Sequence, residues 1–219
     1  RAMDLIGIAH PKFRPWLIEE AKKLNLIYRD QAFISGEKGE YPEHLETYRR
    51  TRSGLKLFFR PVRISDEDLI KDFFYSLSDQ SLQRRFMTIR KDIPHKLRQK
   101  FVIIDYSHEI VILACVVKND MEVIVGIGQY VKWDDKNYAD VAFAVQDDYQ
   151  GKGIGTELLD YITLLAKNEG LQGFTADVLG ENRPMQALFD KMGYHVEKKI
   201  EDGVYEYTIT FGAGNGKKQ

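Results

Sequence analysis

Gln150-Gly151-Lys152-Gly153-Ile154-Gly155 is the stretch that decides how this chain reads. Before it, Tyr138 to Gln146 is an apolar, strand-like run. After it, Ile154, Leu158, Leu159, Ile162, Leu165 and Ala166 share one face of a helix that Gly170 can end. The glycines therefore join a strand to a helix. The first amides of a helix have no internal partner, and with the helix dipole they make an anion site. Gly151, Gly153 and Gly155 let backbone amides approach a pyrophosphate with no Cβ in the way. Lys152 adds a charge and Thr156 a hydroxyl. Two other phosphate motifs do not fit. A Walker loop places four residues between its first glycine and a Gly-Lys-Ser/Thr, and a dinucleotide fingerprint is Gly-x-Gly-x-x-Gly. The spacing here is Gly-x-Gly-x-Gly. A tight turn with no ligand remains as the alternative.

Outward from the turn, the C-terminal side reads strand, helix, strand, strand. Phe174, Ala176 and Val178 alternate as a strand. Asn182 can cap the next helix, with Pro184 in its first turn and Met185, Leu188, Phe189 and Met192 on its apolar face. Gly193 ends it. Tyr194–Glu201 and Val204–Phe211 form a hairpin about Asp202-Gly203. On the N-terminal side, Ile110–Lys118 and Met121–Trp133 are a second hairpin split by Asn119-Asp120. Pro94–Ile104 predicts a helix. Leu55–Arg63 predicts a strand, followed by a helix that Ser65 caps and Asp66, Glu67 and Asp68 open. In residues 1–30, Phe13, Trp16, Leu17, Ala21 and Leu24 predict an amphipathic helix. Residues 31–54 have connector composition, with room for a short helix within 42–52, and the tail 212–219 reads as frayed.

The whole chain sets further bounds. Its 219 residues are 43% hydrophobic and 30% charged, with 32 basic and 33 acidic side chains. That balance gives no reason to expect nucleic acid or an anionic membrane as partner. No apolar run reaches membrane-spanning length. The single cysteine, Cys115, lies in an apolar run, suits a reducing cytoplasm and reads as a buried inert thiol. The five histidines show no metal-ligand spacing, so no metal is expected. The chain begins with Arg, which reads as a piece of a longer protein or a trimmed front.

Two motifs carry a family resemblance. Ala139-Asp140-Val141-Ala142-Phe143-Ala144-Val145, followed by Gln150-x-x-Gly153-x-Gly155, resembles the central acetyl-CoA motif of GNAT N-acetyltransferases. Asn182 to Met185, Leu188-Phe189, Lys191 and Gly193-Tyr194 resembles the motif that follows it in that family. The resemblance spans roughly residues 55–211. It implies an α/β fold with a mixed, mostly antiparallel splayed sheet flanked by helices, here with a short helical N-terminal extension. It divides the chain into an extension and linker (1–54), an acetyltransferase domain (55–211) and a tail (212–219). By resemblance, the pantetheine of acetyl-CoA lies in a splay between the strands at 138–146 and 174–179. It bonds backbone near Phe143, Ala144 and Val145, and reaches Asn182. The pyrophosphate meets Gln150, Gly151, Lys152, Gly153, Ile154, Gly155 and Thr156.

Acetyl transfer to an amine needs a neutral nucleophile. A free lysine has a pKa near 10.4, so neutralising it at pH 7 costs roughly 4–5 kcal/mol. A nearby carboxylate can take that proton. Family members that acetylate protein lysines often carry Glu where this chain has Asp140, which makes Asp140 the candidate base, with a solvated strand carboxylate as its alternative. The tyrosine that often protonates the leaving thiolate is Phe189 here, which leaves Tyr194 or water to serve. Leu77-Ser78, Arg84-Arg85-Phe86, Asp105-Tyr106 and Glu109 resemble the GNAT domains of bacterial protein lysine acetyltransferases (Pat-like), and place Arg84, Arg85, Tyr106 and Glu109 beside the acceptor. Ala9-His10-Pro11-x-Phe13-Arg14 and Glu19-Glu20-Ala21-x-x-Leu24 resemble the C-terminal end of the acetyl-CoA hydrolase and CoA-transferase family, which implies an upstream CoA-transferase domain in the same polypeptide. The expected acceptor is a protein lysine or a small amine. A module that senses acetyl-CoA without catalysis is the alternative from a different class.

Overall fold

The computed structural model describes residues 2–34, 40–88 and 92–212. Gly36 and Gly39 of the connector, and the tail beyond Gly212, lie outside them. Eight strands form one sheet: β1 (Thr47–Arg50), β2 (Lys56–Pro61), β3 (Glu109–Lys118), β4 (Met121–Lys132), β5 (Tyr138–Val145), β6 (Gly173–Leu179), β7 (His195–Glu201) and β8 (Val204–Thr210). Their order is β1-β2-β3-β4-β5-β6-β8-β7. Every neighbouring pair is antiparallel except β5 and β6. The helices are α1 (Ala2–Ile8), α2 (Arg14–Lys23), α3 (Glu67–Tyr75), α4 (Asp79–Phe86), α5 (His95–Val102), α6 (Ile154–Asn168) and α7 (Arg183–Asp190).

Side-chain alternation splits the core in two. Ala139, Val141 and Phe143 of β5 pack with Ile154, Leu158, Ile162 and Phe189 on the α6 and α7 side. Val111, Leu113 and Ile127 pack with Ile70, Phe74 and Phe101 on the α3 and α5 side. Glu109, Gln129 and Asp140 fall on this second face, since they share the parity of Val111, Ile127 and Ala144.

The parallel pairing of β5 and β6 is short. It runs through Tyr138↔Gly173, Ala139↔Phe174 and Asp140↔Thr175, and then stops. Gly173 permits that close start: a Cβ there would lie 2.1 Å from the Ile209 carbonyl oxygen and 2.4 Å from the Tyr138 ring. Beyond Asp140 and Thr175 the strands separate, and that gap is the expected splay.

Three expectations need correction. Residues 47–50 of the supposed connector form a strand, and the short helix within 42–52 is a 3-10 turn at Glu43–Leu45. Ser65 does not cap α3. The residue at its start is Asp66, buried, whose carboxylate accepts from the Arg63 amide at 2.6 Å and from both terminal nitrogens of Arg60 at 2.6 and 2.9 Å. Arg60 is itself buried and also donates to Glu122 at 2.5 and 2.9 Å. Finally, α2 buries Ile18 and Ala21 against Ile6, while Phe13, Trp16 and Leu24 are exposed. The front segment is held to α5 by Gln99, which accepts from the Ala32 amide and donates to the Asp30 carbonyl. Among the described residues, no helix is long and apolar enough to cross a membrane, and no cluster of three or more His, Cys, Asp or Glu side chains could hold a metal ion.

Candidate active site

The gap between β5 and β6 opens into a cleft of about 380 Å³. Val141 to Val145 form one wall, and Ala176, Asp177 and Val178 the other. Asn182, Met185, Leu188 and Phe189 of α7 and its cap cover it. Gln150, Gly151, Gly153, Ile154, Gly155 and Thr156 of the glycine turn line it too, as do Arg84, Arg85 and Met87 of α4 and its C-cap. The structure thus gathers most of the sequence-selected residues on one surface. Lys152 does not line the cleft; its ammonium lies over the Tyr149 ring, 4.8 Å from the centroid.

The turn leaves the first amides of α6 without a helical partner. Gly153 caps α6 with φ +90°, a left-handed conformation that disfavours any side chain. The first helical bond runs from the Glu157 amide to the Gly153 carbonyl at 3.1 Å. The amides of Ile154, Gly155 and Thr156 precede it, so no carbonyl of the helix serves them. A Cβ at Gly153 would sit 3.3 Å from Thr51, and Ser53 Oγ donates to the Lys152 carbonyl at 3.0 Å. The β1–β2 turn therefore lies directly behind the glycine turn. Ahead of it, Gln150 Nε2 donates to the Val145 carbonyl at 3.1 Å. The Gln146 amide bonds to the Val125 carbonyl, so the Ala144 backbone, of the same parity, faces β4 opposite Ile127, which leaves the Phe143 backbone and the Val145 amide open toward the gap among the three expected. Asn182 is buried and caps α7 by accepting from the Met185 amide at 3.4 Å. The cleft thus combines apolar walls with the unpaired amides that open α6.

Asp140 stands at the last rung before the strands part, next to Val141, the first β5 residue on the wall. Partial burial of its carboxylate, and then the charge of Asp177, raise its pKa above the ordinary value. A hydrogen bond from Thr175 and the charge of Arg85 act against that rise. Arg85 is withdrawn from water and pushed down to about 10, although Asp140 and Glu109 favour its charge. It donates to Gln129 Oε1 at 2.5 Å, and Gln129 in turn donates to Glu109. Burial raises the Glu109 pKa, against the Gln129 bond and the charges of His108 and Arg85. A polar chain from Glu109 to Arg85 thus runs under the cleft toward Asp140.

Other expected residues fall elsewhere. Tyr106 donates its hydroxyl to the Val62 carbonyl at 2.5 Å and belongs to the core. Tyr194 accepts from Lys167 Nζ at 2.9 Å and packs on Phe211, off the cleft, so it does not serve as the proton donor. Phe189 is fully buried against Phe143 and Tyr207.

Sequence reasoning missed Tyr149, Ser81, Asp177 and the bracing of α4. Ser78, which caps α4, donates through its amide and hydroxyl to Asp147 at 2.9 and 2.8 Å, and Ser81 adds a third bond at 2.8 Å. Burial pushes the Asp147 pKa up, but these bonds outweigh it and hold the carboxyl below its ordinary value. The acid three residues before Gln150, with serines at i and i+3, was the available signal.

A family model described as the acetyltransferase (GNAT) family matches residues 72–194. Acetyltransferase Pat of Mycolicibacterium smegmatis is 30% identical over 145 residues, 66% of this chain and 43% of that protein. The chain thus spans less than half the length of that relative. Acetyltransferase PA5475 of Pseudomonas aeruginosa is 25% identical over 174 residues, 80% of this chain and 90% of that one. The crystal structure of the GNAT domain of S. lividans PAT superposes with a TM-score of 0.71 at 27% identity, covering 78% of this chain and 99% of that domain.

Proposed function

Because the chain belongs to the GNAT acetyltransferase family, we propose that it transfers acetyl from acetyl-CoA to a lysine of another protein, by direct attack with both substrates bound. The observation that carries the reading is the position of Asp140, a carboxylate of raised pKa at the point where β5 and β6 part. A base there takes the proton from the incoming ammonium, directly or through a water. The neutral nitrogen then attacks the thioester carbonyl, sheds its second proton to water, the C–S bond breaks, and CoA leaves as thiolate. Asp is one methylene shorter than Glu, which favours the bridging water. Phe189 has no proton to give, so the thiolate takes one from water. The amides of Ile154 to Thr156 hold the pyrophosphate, the Phe143 backbone and the Val145 amide the pantetheine, and Asn182 stays with its cap while it faces the same arm.

The names of two relatives support the acceptor class: Acetyltransferase Pat resembles this chain in sequence, and the S. lividans PAT domain resembles it in shape. We also read residues 1–30 as the end of a CoA-transferase domain in the same polypeptide, residues 55–211 as the acetyltransferase domain and 212–219 as a tail. The test is incubation with acetyl-CoA and a purified acyl-CoA synthetase, with modified lysines read by mass spectrometry. Transfer only to small amines would overturn the acceptor assignment. Phe189 favours one second reading, a domain that binds acetyl-CoA as a signal. Tight binding with no transfer to protein or metabolite acceptors would select it.

The turn gives a separate prediction. Gly153→Val forces a β-branched residue to positive φ and against Thr51, at a strain of about 1–2 kcal/mol. Its Kd for acetyl-CoA by calorimetry rises about tenfold or more. Unchanged affinity would remove this turn from the binding site.

A further inference from the structure

We infer that Thr175 is a positioning residue for Asp140, and that the Trp133 indole sets the direction in which Thr175 gives its proton. The inference rests on the reading of Asp140 as the base.

Thr175 faces Asp140 across the last rung of the β5–β6 pairing. Its hydroxyl is 3.3 Å from Asp140 Oδ1 and 3.1 Å from Trp133 Nε1. An indole N–H can only donate, an ionised carboxylate can only accept, and a hydroxyl has one proton and two lone pairs. The chain therefore has one sense. Trp133 gives to Thr175, and Thr175 gives to Asp140. With the indole in place as donor, Asp140 Oδ1 is the acceptor this hydroxyl meets among the described residues, and its proton goes there. The second oxygen, Oδ2, is left for the acceptor amine or its water, and the plane of the carboxylate is held.

The other groups facing Asp140 do not provide this. Asp177, two residues along β6, opposes its ionisation by like charge. Arg85 from α4 favours ionisation by charge, but its hydrogen bond goes to Gln129. On β4 the partner of Asp140 is the apolar Val131, and the adjacent Lys132 is engaged by Glu169 and the Ser107 carbonyl. Among the described residues, Thr175 is thus the side chain that donates a hydrogen bond to this carboxylate. Trp133 is 47% exposed, so the chain begins at the surface and ends at the reacting groups.

The experiment compares the whole chain with Thr175→Val, Thr175→Ser, Trp133→Phe and Asp140→Asn. It reads kcat and KM across pH, and the Asp140 carboxyl titration by 13C NMR. Valine keeps the shape of threonine and removes the bond that lowers the Asp140 pKa. The acid limb of kcat/KM, and the NMR titration with it, should move up by about one pH unit, since bonds to a charged group are worth this much or more. The KM for acetyl-CoA should hold. Thr175→Ser should restore the limb, and Trp133→Phe should move it part of the way. If Asp140→Asn abolishes the limb while Thr175→Val leaves both limb and titration in place, the inference fails and the base assignment stands. If Asp140→Asn keeps full activity, the base assignment fails and the inference falls with it.

Discussion

Asp140→Asn lowers kcat by about 10²–10⁴-fold, the usual contribution of a positioned base, while the Kd for acetyl-CoA changes little. The amide fills the same space but cannot accept a proton from an ammonium. The magnitude has a simple origin. Without a base, the small neutral fraction of the lysine must arrive from solution, and that fraction reflects the roughly 4–5 kcal/mol that separates its pKa from pH 7. The sign of the pH dependence follows from the carboxyl. Partial burial and Asp177 raise its pKa, so the acid limb lies above the ordinary carboxylate value of about 3.9. Activity is present above that limb and is lost as pH falls through it. Single-turnover rates across pH check both points. Wild-type rates in Asp140→Asn at every pH would dismiss the assignment.

Asp66→Ala unfolds the chain more easily by about 3–5 kcal/mol, the cost of leaving a buried charge without its partner. Arg60 is 1% exposed, and its guanidinium depends on Asp66 and Glu122 for every charged contact. Removing the carboxylate also frees the Arg63 amide that it accepts from. A pair of apolar replacements, Arg60→Met with Asp66→Leu, should recover most of the loss, because a buried pair gains little over well-packed hydrophobic groups. Urea melts of the single and double variants measure this. The cluster joins β2, the turn before α3 and β4, away from the cleft, so the KM for acetyl-CoA should stay constant at temperatures where the variants are folded. Equal stability of Asp66→Ala and wild type would show that water reaches Arg60.

The elements that position the cofactor were legible because their signals are local. Glycines flanked by a strand pattern and a helix pattern, and a cap followed by Pro184, depend on neighbours in the chain. The α6 helix and the Asn119-Asp120 and Asp202-Gly203 hairpins came out where the spacing put them, and the four hairpin residues take the positive φ such turns require. β1 was not legible. Thr47 to Arg50 has alternating partial burial at a sheet edge, and its arginines read as connector. In α2 the three-and-four spacing marked large apolar residues, yet the buried stripe is Ile18 and Ala21, because Ile6 offers room only there. Ser65 had the composition of a cap, but Asp66 is claimed by the buried guanidinium of Arg60, six residues back on β2, which no capping rule reports. The polar network around Asp140 was legible only in part, through the residues the family resemblance named. Glu109, Gln129, Arg85, Asp140 and Thr175 come from five separate elements, and only the sheet order brings them together.

The turn from Thr51 to Gly54 also bears on how the molecule can be cut. A fragment begun at Leu55 would keep every family motif. It would lose the ribbon that closes the free edge of β2, and Thr51 and Ser53, which brace the glycine turn from behind. The phosphate amides would then hang from α6 alone. Any trimmed version meant to retain cofactor affinity should therefore start ahead of Tyr41, whose hydroxyl ties to Glu46 and whose ring lies under Arg63.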